Sequence, residues 1–317
     1  MSVYTYPHPE ELNGFIQEYN IGKLNSYDAI LEGTENSNFI IKTSKGIFIL
    51  TLYEKRVMEN DLPFFLGLMS HASSNGLKCP QPLPRNDGKI YGSLSGCPAS
   101  IFSYIEGNSL YDPSPKQCEE VGCMLSLMHQ KTKNFKPHRK NSLSLPDWKI
   151  LWGKCRPSNI DKDYKKEIDF ELSFLEEVWP KKLLKGIIHA DLFPDNVRFY
   201  KNHIIGLIDF YFACNDFLAY DLSICINAWC FEKDYSYNAI KANSLLKGYN
   251  TIREISKDEM QSLPILLRGA ALCFFLMRLH DSQNIQYGPL TTKKDPAEYL
   301  CKFRFHKTIS SISQYGF

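Results

Sequence analysis

The eight residues HADLFPDN, at positions 189–196, bring a histidine, two aspartates and an asparagine into one short segment of the chain. Mainly apolar or small residues precede the segment at 183–188, and a valine and aromatic residues follow it. Four polar side chains next to a hydrophobic core cost free energy unless each has a partner or a chemical role. This segment is therefore the strongest candidate for a functional site.

The residues that follow predict a β-hairpin with a two-residue turn at Asn202 and His203. Pairing the strands outward from that turn would set Asn196 opposite Asp209. The open end of the hairpin would then hold an amide oxygen beside a carboxylate, with Asp191 five residues before Asn196 in the loop. Such hard oxygen atoms suit Mg²⁺, which favours carboxylates together with substrate phosphates.

Two aspartates and an asparagine in this order match the needs of a kinase. Asp191 would accept the proton of the acceptor hydroxyl. Asn196 and Asp209 would hold metal at the β- and γ-phosphates of ATP. From the residues alone, the prediction reaches as far as a kinase that phosphorylates a hydroxyl group of a small molecule.

Composition narrows the class of protein. With 317 residues and 44% hydrophobic content, the chain is long enough for two domains or lobes with a full core. Its 37 Lys and Arg nearly balance its 35 Asp and Glu, so nothing demands a nucleic acid or an anionic membrane as partner. Its ten cysteines form no CxxC pair and lie mostly among apolar residues, which predicts reduced core thiols in a cytoplasmic protein.

No segment of the sequence predicts membrane insertion. The N-terminus has neither a basic region nor an apolar run, so a signal peptide is not expected. The most apolar stretch is interrupted by Arg268 and Arg278. This stretch therefore predicts a buried helix and not a membrane span.

The pattern of apolar residues changes after the first third of the chain. Short apolar runs separated by turn residues predict strands and hairpins in 1–102, with one longer helix at 57–74. Beyond them, a capping box from Ser114 to Gln117 opens a series of helices. We therefore expect an α+β fold, with a strand-rich lobe at 1–102 and a mainly helical lobe at 103–317.

The pattern H-x-D-x-x-x-x-N, followed by a hairpin and then by IDF, resembles the catalytic core of the protein-kinase-like superfamily. HADLFPDN is most similar to the small-molecule branch, the aminoglycoside and choline kinases. The resemblance implies a bilobal fold, with a small antiparallel-sheet N-lobe that binds ATP and a larger, mainly helical C-lobe. It also implies Asp191 as the catalytic base, with Asn196 and Asp209 as ligands of Mg²⁺. His189 would orient the catalytic loop.

The same resemblance assigns the nucleotide site to two segments of the first lobe. GTENSNF begins at Gly33, where relatives place the loop over the phosphates, and Ser37 and Asn38 would help the backbone to hold them. The segment has one glycine instead of three, so an ordinary polar turn is the alternative. Tyr104 and Ile105 resemble the hinge whose backbone pairs with adenine, with a plain linker as the alternative.

One position departs from the superfamily pattern. Relatives carry a lysine on the third strand that pairs with the α- and β-phosphates, whereas ILTLYEK places Thr51 there. Alternation along the strand would put Thr51 and Ile49 on one face and Leu50 and Leu52 on the other. Because a hydroxyl cannot neutralise phosphate charge, a nucleotide-binding pseudokinase is an alternative.

The resemblance covers nearly the whole chain. The segments ENSNF, ILTLYEKR, NDLPFFLGLM, IHADLFPDNV, LIDFYFACNDFLAYDLSICINAWCFE and KDPAEYLCKFRFHK together resemble the homoserine kinases of the aminoglycoside-kinase-like type, in which the departure at Thr51 looks normal. The resemblance implies phosphorylation of the side-chain hydroxyl of L-homoserine by MgATP, on the route to threonine. A kinase of another small amino alcohol, such as choline or an aminoglycoside, is the near alternative. A polycationic aminoglycoside would favour an acidic C-terminal pocket, which the balanced charge does not indicate.

An amino-acid acceptor needs a cation for its carboxylate and an anion or acceptor for its ammonium group. Arg268 is a candidate for the cation, with an internal salt bridge as the alternative because a buried arginine is seldom left unpaired. Asp216 and Trp229 are candidates to line the acceptor pocket. Beyond the small-molecule substrates the sequence predicts no partner, and it does not indicate an oligomeric state.

Overall fold

The computed structural model describes residues 4–31, 36–54, 57–155, 162–284 and 294–317. The α-helices in these segments are α1 (Pro9–Gln17), α2 (Leu62–Ser74), α3 (Pro115–Lys131), α4 (Leu145–Lys154), α5 (Lys162–Val178), α6 (Leu218–Trp229), α7 (Ala239–Asn250), α8 (Lys257–Asn284) and α9 (Pro296–Lys307). The β-strands are β1 (Leu24–Ile30), β2 (Ser37–Thr43), β3 (Gly46–Leu52), β4 (Gly92–Leu94), β5 (Cys97–Ser103), β6 (Lys185–Ile188), β7 (Val197–Tyr200), β8 (His203–Leu207) and β9 (Cys214–Phe217).

The chain divides into two compact units. The first contains the described residues up to Gly107 together with Ile205–Tyr211. The second contains Asn108–Ile204 and the described residues from Phe212 onward. Strands β1 to β5 and helices α1 and α2 belong to the first unit, and helices α3 to α9 belong to the second.

The first unit is built on a five-stranded antiparallel sheet in the order β1-β2-β3-β5-β4. One face of the sheet forms an apolar core with α1, and Leu50 and Leu52 of β3 lie in that core. Because side chains alternate along a strand, Thr51 lies on the opposite face, beside Asn38 on β2 and Ser100 on β5. The predicted assignment of these side chains to two faces is confirmed.

Local sequence signals decide where two of the helices begin. The helix that follows β3 begins at Leu62, later than predicted, because a short 3₁₀ helix, Glu59–Asp61, precedes it. Pro63 occupies the first turn of α2, where its missing N–H needs no partner. The predicted capping box of α3 is confirmed, since Ser114 Oγ accepts from Gln117 N and Gln117 Oε1 accepts from Ser114 N.

The predicted hairpin forms, but its turn lies one residue earlier than expected. Strands β7 and β8 make a two-stranded sheet, and the turn between them is Lys201 and Asn202, with φ angles of 48° and 65°. Such a turn needs positive φ at both central residues, which Asn202 adopts more readily than His203. The turn therefore sets a different register, and the predicted pairing of Asn196 with Asp209 directly across the hairpin no longer follows from it.

In the second unit, α3 and α7 cross with almost no space between their backbones. A Cβ atom added at Gly122 on α3 would lie 1.9 Å from the carbonyl oxygen of Leu245. One added at Gly248 on α7 would lie 1.8 Å from the carbonyl oxygen of Glu119. Both distances are far shorter than van der Waals contact, so only glycine fits at this crossing.

The most apolar stretch of the sequence forms the 28-residue helix α8. Among the described residues, α8 is one helix that is both long enough and apolar enough to cross a membrane, judged by length and composition alone. Its central residues, from Leu263 to Leu276, are mostly buried and contribute to the main apolar core of the second unit. The prediction of a buried helix is confirmed.

We expect Gly248→Ala to lower the free energy of unfolding by about 3 kcal/mol, because the added methyl group overlaps a backbone oxygen of α3. The matched control is Gly153→Ala on α4, where nothing lies within 4 Å of the added Cβ. There alanine should stabilise the helix by up to about 1 kcal/mol. Urea unfolding followed by circular dichroism measures both variants, and equal stabilities would contradict the close crossing.

Candidate active site

The segment HADLFPDN forms a tight loop in the second unit. The loop follows β6, which pairs antiparallel with β9. Phe193 N donates to Asp191 O at 2.8 Å, and Asn196 N donates to Phe193 O at 2.9 Å. A 3₁₀ turn, Pro194–Asn196, then leads into β7. These bonds fold the loop back on itself, so that Asp191 and Asn196 come together.

Asn196 holds Asp191 directly. Its Nδ2 donates to the carboxylate oxygen Oδ2 of Asp191 at 2.9 Å and to the backbone oxygen of Asp191 at 2.8 Å. The nitrogen end of the amide thus fixes the carboxylate. The carbonyl oxygen at the other end of the amide is the atom that a metal ion would use.

The backbone of the loop is hydrogen-bonded to Asp221, a residue outside the HADLFPDN motif that the sequence analysis did not single out. The carboxylate of Asp221, on α6, is fully buried and accepts from the backbone N–H groups of His189 at 2.7 Å and Ala190 at 2.9 Å. On its other side, Nε2 of His129 lies 3.0 Å from Oδ2 of Asp221. Burying a carboxylate is costly unless hydrogen bonds compensate it. The sequence did carry a signal, since Asp221 is the single charged residue of α6, LAYDLSICINAW.

The backbone of the loop is strained at Ala190. Its φ of 64° is in the left-handed region, which costs a residue other than glycine about 1–2 kcal/mol. The bond from Ala190 N to the Asp221 carboxylate helps to hold this conformation, and Asp191 follows directly in the chain. His189, on the other side of Ala190, is fully buried.

In the first unit, the segment after Asp209 is anchored to β3 and α2. Asp209 has a φ of 63°. The Tyr211 hydroxyl lies 3.3 Å from the hydroxyl of Tyr53, which directly follows β3. Its ring packs edge-on against Phe65 with the centroids 5.7 Å apart. Burial raises the pKa of Tyr211 well above its usual value, and the nearby Asp209 charge adds to this shift.

Asn196 in the second unit and Asp209 in the first each carry a donor atom of a kind that suits Mg²⁺. Both side chains offer hard oxygen atoms, which this ion prefers. In the part of the chain that the structure describes, no three His, Cys, Asp or Glu side chains gather into a cluster that could hold a metal ion. One or two protein oxygens, completed by phosphates and water, are the usual surroundings of Mg²⁺ at a nucleotide.

Comparison with known proteins identifies the family. The model of the phosphotransferase enzyme family matches residues 26–255 of the chain. The chain belongs to this family. The homoserine kinase of Sinorhizobium medicae is 54% identical, over 100% of this chain and 98% of that protein. The homoserine kinase of Agrobacterium fabrum is 53% identical, over 100% of this chain and 99% of that protein.

Solved structures of other kinases share the fold of this phosphotransferase. Amicoumacin kinase matches with a TM-score of 0.70 and 17% identity, over 97% of this chain and 95% of that one. Choline kinase from Cryptosporidium parvum matches with a TM-score of 0.67 and 16% identity, over 95% of each chain. At such low identity the likeness concerns the fold alone. The predicted α+β, protein-kinase-like fold is confirmed.

Gly33 and Ser37 were both predicted to contact the phosphates of the nucleotide. Gly33 lies outside the described residues. Ser37 is fully buried, and its hydroxyl donates to Oε1 of Glu54 at 2.7 Å while accepting from Tyr4 N at 2.8 Å. Because a hydroxyl has a single proton, the Ser37 side chain has none to donate to a phosphate in this arrangement.

Of the other residues predicted to bind the nucleotide, Thr51 and Asn38 lie in the five-stranded sheet, and Tyr104 and Ile105 follow its strand β5. Thr51 Oγ1 donates to Asn38 Oδ1 at 2.7 Å, so Thr51 uses its one proton within the sheet. Tyr104 and Ile105 follow β5 in an irregular segment, where the Tyr104 side chain is exposed. Gly206 of β8 packs against Ile105, since a Cβ added at Gly206 would lie 2.9 Å from Ile105 Cδ1.

Arg268 forms the internal ion pair that the sequence had left as the alternative. Its Nε and Nη2 both donate to the carboxylate of Glu171, which is fully buried. The guanidinium also stacks on the ring of Phe174, 4.4 Å from the centroid. A substrate carboxylate at Arg268 would have to compete with Glu171.

The two other predicted acceptor residues, Trp229 and Asp216, have different partners. Trp229 is 1% exposed, and its Nε1 donates to the backbone oxygen of Leu192 at 2.8 Å, so it supports the loop from inside the core. Asp216, on β9, accepts from Asn141 Nδ2 at 2.7 Å. Asn141 lines a small cavity whose wall includes Ala190 and Phe274.

We expect Asp221→Asn to lower the free energy of unfolding by about 2–4 kcal/mol, because His189 N and Ala190 N donate to different carboxylate oxygens and an amide has only one oxygen to accept them. Urea unfolding measures the loss, and hydrogen exchange should quicken at the amides of His189 and Ala190. Asp234→Asn is the control, since Asp234 is exposed and accepts only within its own turn. Equal behaviour of the two variants would contradict this role of Asp221.

Proposed function

We propose that the protein is an ATP-dependent kinase that phosphorylates the side-chain hydroxyl of L-homoserine, giving O-phospho-L-homoserine on the route to threonine. The observation that carries this proposal is the identity of 53–54% with curated homoserine kinases over the whole chain. The presence of Asp191, Asn196 and Asp209 supports an active enzyme over a pseudokinase, because these are the groups that phosphoryl transfer requires.

Asp191 acts as the catalytic base in this proposal. As the homoserine oxygen forms its bond to the γ-phosphorus, the O–H proton passes to the Asp191 carboxylate and ADP leaves. Two features support the assignment: the bond from Asn196 Nδ2 fixes the carboxylate at 2.9 Å, and Asp221 holds the backbone that precedes it. His189 does not react; it is buried and orients the catalytic loop.

The protein binds ATP with Mg²⁺, for which we assign Asn196 and Asp209 as ligands. When bound, the ion neutralises charge at the β- and γ-phosphates. Thr51 contributes no charge, so the ion carries most of the neutralisation. We assign the nucleotide to the first lobe, 1–102, with Asn38 and Thr51 on the face of its sheet opposite Leu50 and Leu52 and the backbone at Tyr104 beside adenine.

The acceptor belongs to the second lobe, 103–317. We assign Asp216 to the ammonium group of homoserine, which is supported by its hydrogen bond from Asn141, a residue that lines the cavity next to Ala190. The protein acts on small molecules alone. All ten cysteines are free thiols, which supports a cytoplasmic location, where thiols stay reduced.

The test is ADP release from MgATP with L-homoserine, L-threonine, L-serine, choline and an aminoglycoside as acceptors. We expect the highest kcat/KM with L-homoserine. A homoserine ester should react poorly, because a cation that binds the carboxylate would be left unpaired. A higher kcat/KM with choline or an aminoglycoside would show that homoserine is not the preferred acceptor. If no acceptor led to ADP release, the pseudokinase would be favoured.

Asp191→Asn and Asp209→Ala should separate chemistry from nucleotide binding. Asp191→Asn removes a proton acceptor, so kcat should fall roughly 10²-fold or more while calorimetry shows unchanged MgATP affinity. Asp209→Ala removes a metal ligand, so Mg-dependent nucleotide binding should be lost. Thr51→Ala is the control, with a loss in kcat/KM of about tenfold or less, as one neutral hydrogen bond allows. An inactive but folded Thr51→Ala would contradict these roles.

A further inference from the structure

A line of hydrogen bonds continues from Asp221 away from the catalytic loop. His129 lies between Asp221 and Tyr249, with its Nδ1 2.7 Å from the Tyr249 hydroxyl. Arg253 Nε donates to the same hydroxyl oxygen at 2.8 Å. Arg253 is in turn paired through Nη1 and Nη2 with both carboxylate oxygens of Glu259, at 3.0 and 2.9 Å. Five side chains are thus linked in sequence: four lie on α6, α3, α7 and α8, and Arg253 lies in the turn between α7 and α8.

The end of this line that is farther from the catalytic loop, Glu259, is also held by several hydrogen bonds. Glu259 is 1% exposed and also forms the capping box of α8, accepting from Ser256 N at 2.9 Å while its own N–H donates to Ser256 Oγ. Burial opposes ionisation of Glu259, but the hydrogen bonds from Arg253 and Ser256 hold its pKa below the usual value. Arg253 therefore presents its Nε–H to Tyr249 in a fixed direction.

The donors and acceptors along the line favour one arrangement of protons. A guanidinium can only donate, so the Tyr249 oxygen accepts from Arg253. Tyr249 is fully buried, and a buried O–H needs an acceptor; His129 Nδ1, 2.7 Å away, is in place to be that acceptor. Nδ1 is then an acceptor without a proton. A neutral imidazole must carry its proton on the other nitrogen, so Nε2–H donates to Asp221.

We propose that Tyr249 and Arg253 are positioning residues for the phosphoryl transfer, because they hold His129 in the Nε2–H tautomer. In the opposite tautomer, the lone pair of Nε2 would face the Asp221 carboxylate, and that buried charge would lose one of its three donors. The backbone amides of His189 and Ala190, and with them Asp191, depend on this carboxylate. The inference rests on the proposed kinase activity, but its first test does not.

The first test is ¹⁵N NMR of the wild-type protein with labelled histidine. The His129 signals are assigned among the eight histidines by their loss in His129→Gln. We expect a protonated Nε2 and an unprotonated, hydrogen-bonded Nδ1, whose shift moves in Tyr249→Phe. A proton on Nδ1 in the wild type overturns the proposal, whatever substrate the enzyme accepts.

The second test compares the kinetics of three variants, after turnover of homoserine by the wild type has been established. Tyr249→Phe should lower kcat about 3- to 10-fold, the effect of one hydrogen bond, with the KM values for ATP and homoserine unchanged within about twofold. Arg253→Lys should restore part of the rate that Arg253→Met loses, because lysine still donates to Tyr249 whereas methionine has no N–H. If Tyr249→Phe does not fold, the two Arg253 variants test the same prediction, because the Arg253 side chain is partly exposed and its replacement disturbs the core less.

Tyr237→Phe is the matched control. It also removes a tyrosine hydroxyl that makes one hydrogen bond in the second unit, from Tyr237 to the backbone oxygen of Tyr315 at 3.2 Å, but it does not touch the line from Arg253 to Asp221. We expect this control to lose stability and keep the wild-type kcat. If Tyr249→Phe loses stability to the same extent and also keeps kcat, Tyr249 has a structural role only and the proposal fails.

Discussion

The bond between the buried carboxylate of Asp221 and two backbone amides is the interaction on which the catalytic loop depends. A carboxylate buried without compensation would be unstable, so the amides of His189 and Ala190 are as necessary to Asp221 as it is to them. Hydrogen bonds to an ionised acceptor are shorter and stronger than neutral ones. This strength offsets the unfavourable φ of Ala190, the residue that leads directly into Asp191. The geometry of the site is therefore set by a charge that makes no contact with solvent.

The parts of the fold and site that the sequence predicted are those fixed by neighbours in the chain. Asp191 and Asn196 stand five positions apart in one loop, so their association required only a turn. The faces of β3 followed from alternation alone, which placed Thr51 away from the apolar core. The capping box at Ser114 is likewise contained in four residues. In each case the sequence distance is short enough for local sterics and hydrogen bonding to decide the outcome.

The parts that the sequence could not predict depend on partners from distant segments. Asp221 meets His189 across 32 positions and His129 across 92, and no periodicity within α6 names such partners. Arg268 and Glu171 are 97 positions apart, so the sequence alone left open whether the arginine pairs internally or binds a ligand. The hairpin turn was misplaced for a smaller reason, the preference of an asparagine over a histidine for positive φ.

Strand β3, GIFILTL, carries no lysine, and this has a consequence for chemical probing of the protein. A reagent that carries an acyl group on a nucleotide analogue would need an amine on this strand to attach there. Here it would meet the Thr51 hydroxyl, which is 2% exposed and already donates its proton to Asn38. A neutral alcohol of this kind is a far weaker nucleophile than an amine. A bound nucleotide analogue of this kind would therefore not label β3, and the absence of a label on this strand would not mean that the nucleotide is not bound.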